Sequence, residues 1–302
     1  MPLTDTARAQ FQIHVCVLLW GFTAILGKLI SLPALALVWW RMLIVAAVLL
    51  ALPRVWRGLR ALPPRLHLAY AGVGVLVALH WLTFYGAIKL ANASVAVTCI
   101  ALAPVFLALV EPLVTRRRFE PRELLLGIAV VPGVALVVGG IPAHMRVGVA
   151  VGALSALLVA IFGAYNKRLV TRADPLTVTC LEIGAGALFL TALAPLFPHA
   201  GSAFPLPDAR DAWLLLLLAL ACTLLPFTLS LVALRHLSAY AAQLAINLEP
   251  IYAIALAIVL LGEQRELGPA FYVGVAIVVG AVVLHPLLMR PRGRPLPPHP
   301  GG

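Results

Sequence analysis

Four ionisable side chains stand inside long apolar runs of this sequence, and each is a candidate for chemistry that lipid-facing residues do not provide: Arg41, His80, Glu182 and Glu249. An ionisable group at membrane depth costs at least a few kcal/mol, so each calls for a partner or a purpose. Arg41 lies about 10 Å into its run by helical rise. It can bind an anionic group of a solute, or it can pair with a helix end or a carboxylate and hold helices together. Glu249, just before Pro250, is the first candidate for a group that takes up and releases a proton, with Glu182 and His80 behind it.

Around these charges stand residues suited to touching a polar or aromatic solute. His80, Trp81, Phe84 and Tyr85 form a band in which His80 lies over Phe84 and Trp81 over Tyr85 at helical spacing; such a band can stack on a solute or simply pack. Gln243 and Asn247 share a helical face, whereas Glu249 is about 200° from Asn247, so the three line one cavity only if Pro250 distorts the helix. The candidate solute contacts are therefore Arg41, His80, Trp81, Tyr85, Gln243 and Asn247, with Glu249 and Glu182 as proton-coupling groups. Trp20 and Thr23, then Ser155, Phe162 and Asn166, then Thr223, Phe227 and Ser230 also share faces, and interhelical hydrogen bonding explains their polar groups equally well. Glu111, within a turn or two of Arg116, reads as a structural neutraliser. No catalytic residue is assigned: the chain has neither H-E-x-x-H nor G-x-S-x-G, and no His, Cys and Asp cluster that calls for a metal or another cofactor. Cys16, Cys99, Cys180 and Cys222 fall singly in apolar runs and read as packed free thiols.

The elements that must position these groups are membrane helices. Of the 302 residues, 63% are apolar and 11% charged, and the mean hydropathy is +1.04, a balance that a water-soluble chain of this size could not cover with polar surface. Apolar runs of roughly 18 to 25 residues recur, too long and continuous for barrel strands. The predicted spans are 13–30, 34–52, 67–90, 93–114, 124–140, 147–167, 175–197, 212–234, 238–261 and 269–289, an all-α membrane protein of about ten transmembrane helices. The net charge of +11 raises the question of nucleic acid, and position answers it. With the N-terminus inside, the cations cluster in the cytoplasmic segments, at Arg54 to Arg65, Arg116 to Arg122, Lys167 to Arg172 and Arg290 to Arg294, which is the bias of membrane topology. No nucleic-acid partner is called for, and both termini are expected to be cytoplasmic.

The chain also repeats itself. An offset of 146 brings Ala87, Lys89, Ala93, Ile100 and Pro104 onto Ala233, Arg235, Ala239, Ile246 and Pro250, and an offset of 147 brings Gly127–Gly133 onto Gly274–Gly280. Two halves of five spans follow, 11–140 and 147–289, with 290–302 as a disordered cytoplasmic tail. Because five is odd, the second half must run through the bilayer inverted. The charges agree, since Arg116-Arg117-Arg118 has Gly262-Glu263-Gln264 as its counterpart. Inverted repeats are typical of transporters.

Trp20-Gly21, Trp40-Arg41, the Pro104 and Pro250 helices and Leu261-Gly262-Glu263, in this order and spacing over residues 11–289, resemble the EamA-type branch of the drug/metabolite transporter superfamily. In the first half, Arg116 or Arg117 stands where that family often carries Gly-Glu. The resemblance implies a secondary transporter of the bacterial inner membrane, an exporter of amino-acid-like or other metabolites by alternating access, with a central cavity between spans 1–4 and 6–9. Few charges line such a cavity here, which favours a neutral, zwitterionic or amphipathic solute. The expected partners are that solute, the lipid bilayer and protons. A membrane-embedded enzyme and a passive channel are the competing readings.

Overall fold

The computed structural model describes residues 4–197, 202–246 and 248–288, and its regular elements are all helices. The chain runs through α1 (Asp5–Leu29), α2 (Ala34–Leu50), α3 (Pro53–Ala61), α4 (Pro64–Leu90), α5 (Ala93–Ile100), α6 (Ala103–Thr115), α7 (Pro121–Ile128), α8 (Val131–Gly139), α9 (Arg146–Leu169), α10 (Pro175–Leu193), α11 (Ala209–Ala219), α12 (Leu225–Ala233), α13 (Ala239–Ile246), α14 (Glu249–Leu256) and α15 (Pro269–Leu288). Six continuous or nearly continuous helices are long and apolar enough to cross a membrane: Asp5–Leu29, Pro64–Leu90, Ala93–Thr115, Ala143–Leu169, Pro175–Leu196 and Ala209–Ala233. A seventh is α2 with α3, if that pair is one span, although it bends by 91°. The chain is an all-helical membrane protein. The tail 290–302, expected to be disordered, lies outside the described residues.

Several of the predicted spans are built from two short helices, and proline accounts for the breaks. A proline ring has no N–H and crowds the carbonyl four residues earlier. Pro104, Pro132 and Pro250 each sit in the first turn of the second member of a pair, in α6, α8 and α14. Pro226 opens α12 directly after a π turn over Leu220–Leu224. Pro53 begins α3, where the Trp56 indole donates to the Leu50 carbonyl over 2.6 Å and so satisfies the end of α2. Helix α3 is a departure from expectation: its Arg54, Arg57 and Arg60 mark it as loop in the sequence, yet Val55 is buried and the segment is helical.

The repeat is visible in individual bonds. At the offset of 146, Asn92 accepts from the Val95 N–H at the start of α5, and Ser238 accepts from the Ala241 N–H at the start of α13. Lys89 reaches the Ile30 carbonyl beyond α1, and its counterpart Arg235 reaches the Ala173 carbonyl beyond α9. The only described positive-φ residues are the counterparts Arg116, at 58°, and Gly262, at 69°.

The halves interlock. Helix α4 packs on α9 and α10, α1 on α12 and α14, and α6 on α9. Helices α5 and α6 lie against α14 and α13 respectively, so the two broken helices cross antiparallel. Each is held at one end by a buried carboxylate of the other half. Glu111, at the end of α6, accepts from the Ala239 and Tyr240 N–H groups that open α13, at 3.2 and 3.0 Å. Glu263 accepts from the Ala93 and Ser94 N–H groups that open α5, both at 3.0 Å, and from the Ser94 hydroxyl at 2.6 Å. These N-terminal N–H groups have no partner within their helix, and the helix dipole favours a negative charge there.

Candidate functional site

A cavity of ≈ 110 Å³ opens at the centre of this packing. That is room for several waters or part of a small organic molecule. Its walls come from both halves. Trp20, His80, Trp81, Phe84, Phe162 and Phe227 supply aromatic surface, and Arg41, Asn166, Ser230 and Glu249 are among the polar residues that reach it. The polarity is sparing and directional, as in sites that hold a ligand mostly by apolar contact and orient it by a few groups.

Arg41 is 2% exposed and closely engaged. Its Nε donates to the Thr223 hydroxyl over 2.5 Å, one Nη to the Tyr85 hydroxyl over 2.8 Å, and the other lies 3.5 Å from the Cys222 carbonyl. That carbonyl is four residues before Pro226, the one that a proline ring frees from the helix ladder. The guanidinium carbon is 3.8 Å from the centroid of the Trp81 ring, a cation–π contact with no intervening water shell. Of the alternatives open to Arg41 in the sequence, the helix-holding one is present in these bonds. Trp81 and Tyr85 are brought together with Arg41 because helical spacing puts both on one face of α4, towards α2.

His80 stands on another side of the wall. Its Nδ1 is 2.8 Å from the Ser155 hydroxyl and 3.0 Å from the Ser155 carbonyl on α9, and its ring lies 6.2 Å from Phe84 and 5.4 Å from Phe162. Glu249 begins α14, lines the cavity and is 8% exposed. Among the described residues no side chain donates to it, and Arg41 is the other charged side chain that lines the cavity. Glu182 does not line the cavity. It is fully buried on α10, and its link to the cavity is the Asn166 side-chain amide, which donates to one carboxylate oxygen over 3.3 Å. Arg41 and Glu182 make no contact: Arg41 bonds Tyr85, Thr223 and the Cys222 carbonyl, and Glu182 bonds Asn166. Asn247 lies outside the described residues, and so does the side chain of Gln243.

Some functional groups escaped the sequence. Asn166 shares a face with Ser155 and Phe162, but nothing along the chain says that it joins Glu182 to the cavity. Glu111 is a structural neutraliser as expected, of Arg117 at 3.3 Å, and it also caps α13, which nothing along the chain announces; Arg117 pairs with Glu123 as well. The missing Gly-Glu pair of the first half was the available signal, since the N-terminus of α13 needs a carboxylate from somewhere.

The family model for the EamA-like transporter family matches residues 8–139 and 146–287, nearly all of the chain in two blocks. A solved structure described only as "Crystal structure of protein" is similar in fold, with a TM-score of 0.68 at 18% identity, covering 93% of this chain and 97% of its own. No curated protein matches.

Proposed function

The chain belongs to the EamA-like transporter family and is a membrane transporter, and on that premise we propose that it exports a small amino-acid-like or amphipathic metabolite through the central cavity by alternating access. The observation that carries this is the cavity itself: walled by both halves, mostly aromatic, with Arg41 and Glu249 as the charged side chains among its lining residues. A site of that kind suits a solute that is apolar over most of its surface and carries little or balanced charge. It offers poor terms to a polyanion.

The proposed topology is ten spans in two inverted halves, 11–140 and 147–289, with both termini on the cytoplasmic side of a bacterial inner membrane. The bonds matched at the offset of 146 support the repeat, and the antiparallel crossing of α5–α6 with α13–α14 supports its inversion. In that topology the cavity reaches towards the cytoplasm, where Ile13, Leu234 and Ala239 line it. Solute contacts are assigned to His80, Trp81 and Arg41, with Gln243 and Asn247 from the second half; Tyr85, expected from the sequence to touch the solute, is fully buried outside the cavity lining and holds Arg41 instead. Glu249 and Glu182 are the proposed proton groups, Glu249 where solute and proton would compete directly.

A solute screen by uptake and efflux in vesicles holding the purified protein, with and without a pH gradient, tests this. Accumulation of an amphipathic or zwitterionic solute that depends on the protein is expected. Replacing Asn247 or Arg41 should lower transport, and Asn247→Ala should do so with normal insertion. Failure of every such solute to move, together with hydrolysis or modification of one of them, would replace the transporter by an enzyme.

A further inference from the structure

The pairing of Glu182 with Asn166 is one bond short on each side. Glu182 is fully buried and Asn166 is 3% exposed. The Asn166 Nδ2 donates to Glu182 Oε2, yet Glu182 Oε1 and Asn166 Oδ1 are both buried with no hydrogen-bond partner. Two orphaned acceptors on neighbouring groups are costly, because each has lost its water without replacement. A carboxyl group and a primary amide can close a ring of two hydrogen bonds, N–H to carboxyl oxygen and O–H to amide oxygen, provided the carboxyl holds a proton. One proton on Oε1, given to Oδ1, serves both orphans at once. A larger cation is a poor fit, since a metal ion that prefers oxygen would require several further ligands.

Among the described residues no cation bonds Glu182: Arg172 and Arg235 lie on the side of Tyr70, and Arg235 is given to the Ala173 carbonyl. Helix α4 approaches so closely that a Cβ added to Gly74 would lie 2.2 Å from the Glu182 carbonyl oxygen, so its backbone and not a basic side chain abuts this turn of α10. The ionisable group that α4 brings near is Tyr70, whose hydroxyl is already given to the Leu169 carbonyl. On α2, Arg41 turns to Tyr85 and Thr223, and on α3, Arg54 pairs with Asp174. Helix α12 contributes Thr228, which bonds Thr179. On α9 the group facing Glu182 is Asn166 itself, while the adjacent Lys167 caps the Leu234 and Leu237 carbonyls.

We propose that Glu182 and Asn166 form a proton-binding pair set one residue behind the solute cavity, in which Asn166 touches the cavity and Glu182 stores the proton. This rests on the transporter reading above and adds to it where the proton sits. Uptake forms an O–H bond at Oε1 with a proton delivered by water of the cavity and takes the carboxylate from charge −1 to 0. Release breaks that bond, returns the proton to water and frees the Asn166 amide oxygen. A solute that turns the Asn166 amide therefore competes with the proton for the same group, which is a direct means of coupling the two.

The test is infrared difference spectroscopy of the purified full-length protein in lipid nanodiscs, stepped in pH, following the carbonyl stretch of a protonated carboxylic acid. Wild-type protein is expected to show such absorption, with one component that Glu182→Gln removes and that remains when Glu249→Gln removes any signal of Glu249 itself. Asn166→Leu should shift its frequency, because the hydrogen bond from the acid to the amide is gone. A spectrum that Glu182→Gln leaves unchanged overturns the proposal. Should Glu182→Gln fail to fold, Asn166→Leu decides: a displaced band supports the pair and an unmoved one overturns it. Solute counterflow in vesicles from the same preparation separates the two claims. Counterflow without a Glu182 band ends the pair and leaves the transporter, whereas a Glu182 band without counterflow of any solute upholds the pair and ends the proposed solute path.

Discussion

Glu111 and Glu263 do the same work at opposite ends of the two crossed helices, from positions that the repeat does not relate. Each binds the first two N–H groups of the other half's broken helix, and those N–H groups, on Ala93 and Ser94 and on Ala239 and Tyr240, are exact counterparts at the offset of 146. The carboxylates are not counterparts, for Glu263 is matched by Arg117 and Glu111 by Ala257. What has been kept is the backbone requirement, a helix start facing the end of its partner, while the residue that meets it has changed. The neighbourhoods differ accordingly. Glu263 gains a hydroxyl from Ser94, whereas Glu111 shares Arg117 with Glu123, and Tyr240 reaches over to donate to the Glu123 carbonyl. The turn beside each cap repeats the lesson, since Arg116 holds the left-handed conformation that Gly262 occupies in the second half.

This comparison can be broken at several points. Glu263→Ala should have the largest effect, a loss of about 3 kcal/mol measured by unfolding of the purified protein in detergent, because two buried N–H groups and a hydroxyl lose a charged acceptor together. Equal stability in this variant would mean that water replaces the carboxylate freely and that the cap is not structural. Glu111→Ala should cost less, about 2 kcal/mol, since Arg117 retains Glu123 as a partner and only the α13 N–H groups are stranded. If Glu111→Ala proves the worse of the two, the Arg117 network and not the helix start is what that carboxylate supports.

Smaller effects come from the turns. Gly262→Ala should lose about 1 kcal/mol, a purely conformational cost, because a Cβ there meets nothing within 4 Å. Arg116→Gly should move the other way by about 1 kcal/mol or slightly less, by relieving a left-handed residue that has a side chain. Opposite signs at the two counterparts, read from midpoints of the same unfolding experiment, would confirm one turn geometry in both halves. Identical signs would show that the Arg116 side chain contributes more than its backbone costs.

Much of this architecture is legible along the chain because it is local or periodic. Apolar runs identify helices, since lipid leaves the backbone no other way to satisfy its own groups. Pro104, Pro132, Pro226 and Pro250 announce the breaks, and the offset of 146 announces the two halves. Helix α3 was not legible, because Arg54, Arg57 and Arg60 obey the charge rule for a loop while also lining one side of a short amphipathic helix. The bend to Glu249 was legible only as a condition. Asn247 and Glu249 point apart on a straight helix, and whether they serve one cavity depends on a distortion at Pro250 that no residue count predicts.

The candidate charges divide along the same line. By itself the sequence determined that Arg41, Glu182 and Glu249 would be buried, that the solvent around the chain would be lipid, and that two similar halves would enclose whatever passes between them, because hydropathy and repetition are properties of the chain. Only the tertiary structure decided what those charges meet. The bonds of Arg41 reach 44 residues to Tyr85 and 182 to Thr223, that of Glu182 reaches 16 back to Asn166, and the caps of Glu111 and Glu263 join one half to the other. Hydrogen bonding acts over about 3 Å of space and is indifferent to distance along the chain, so such partners exist only once the helices are packed.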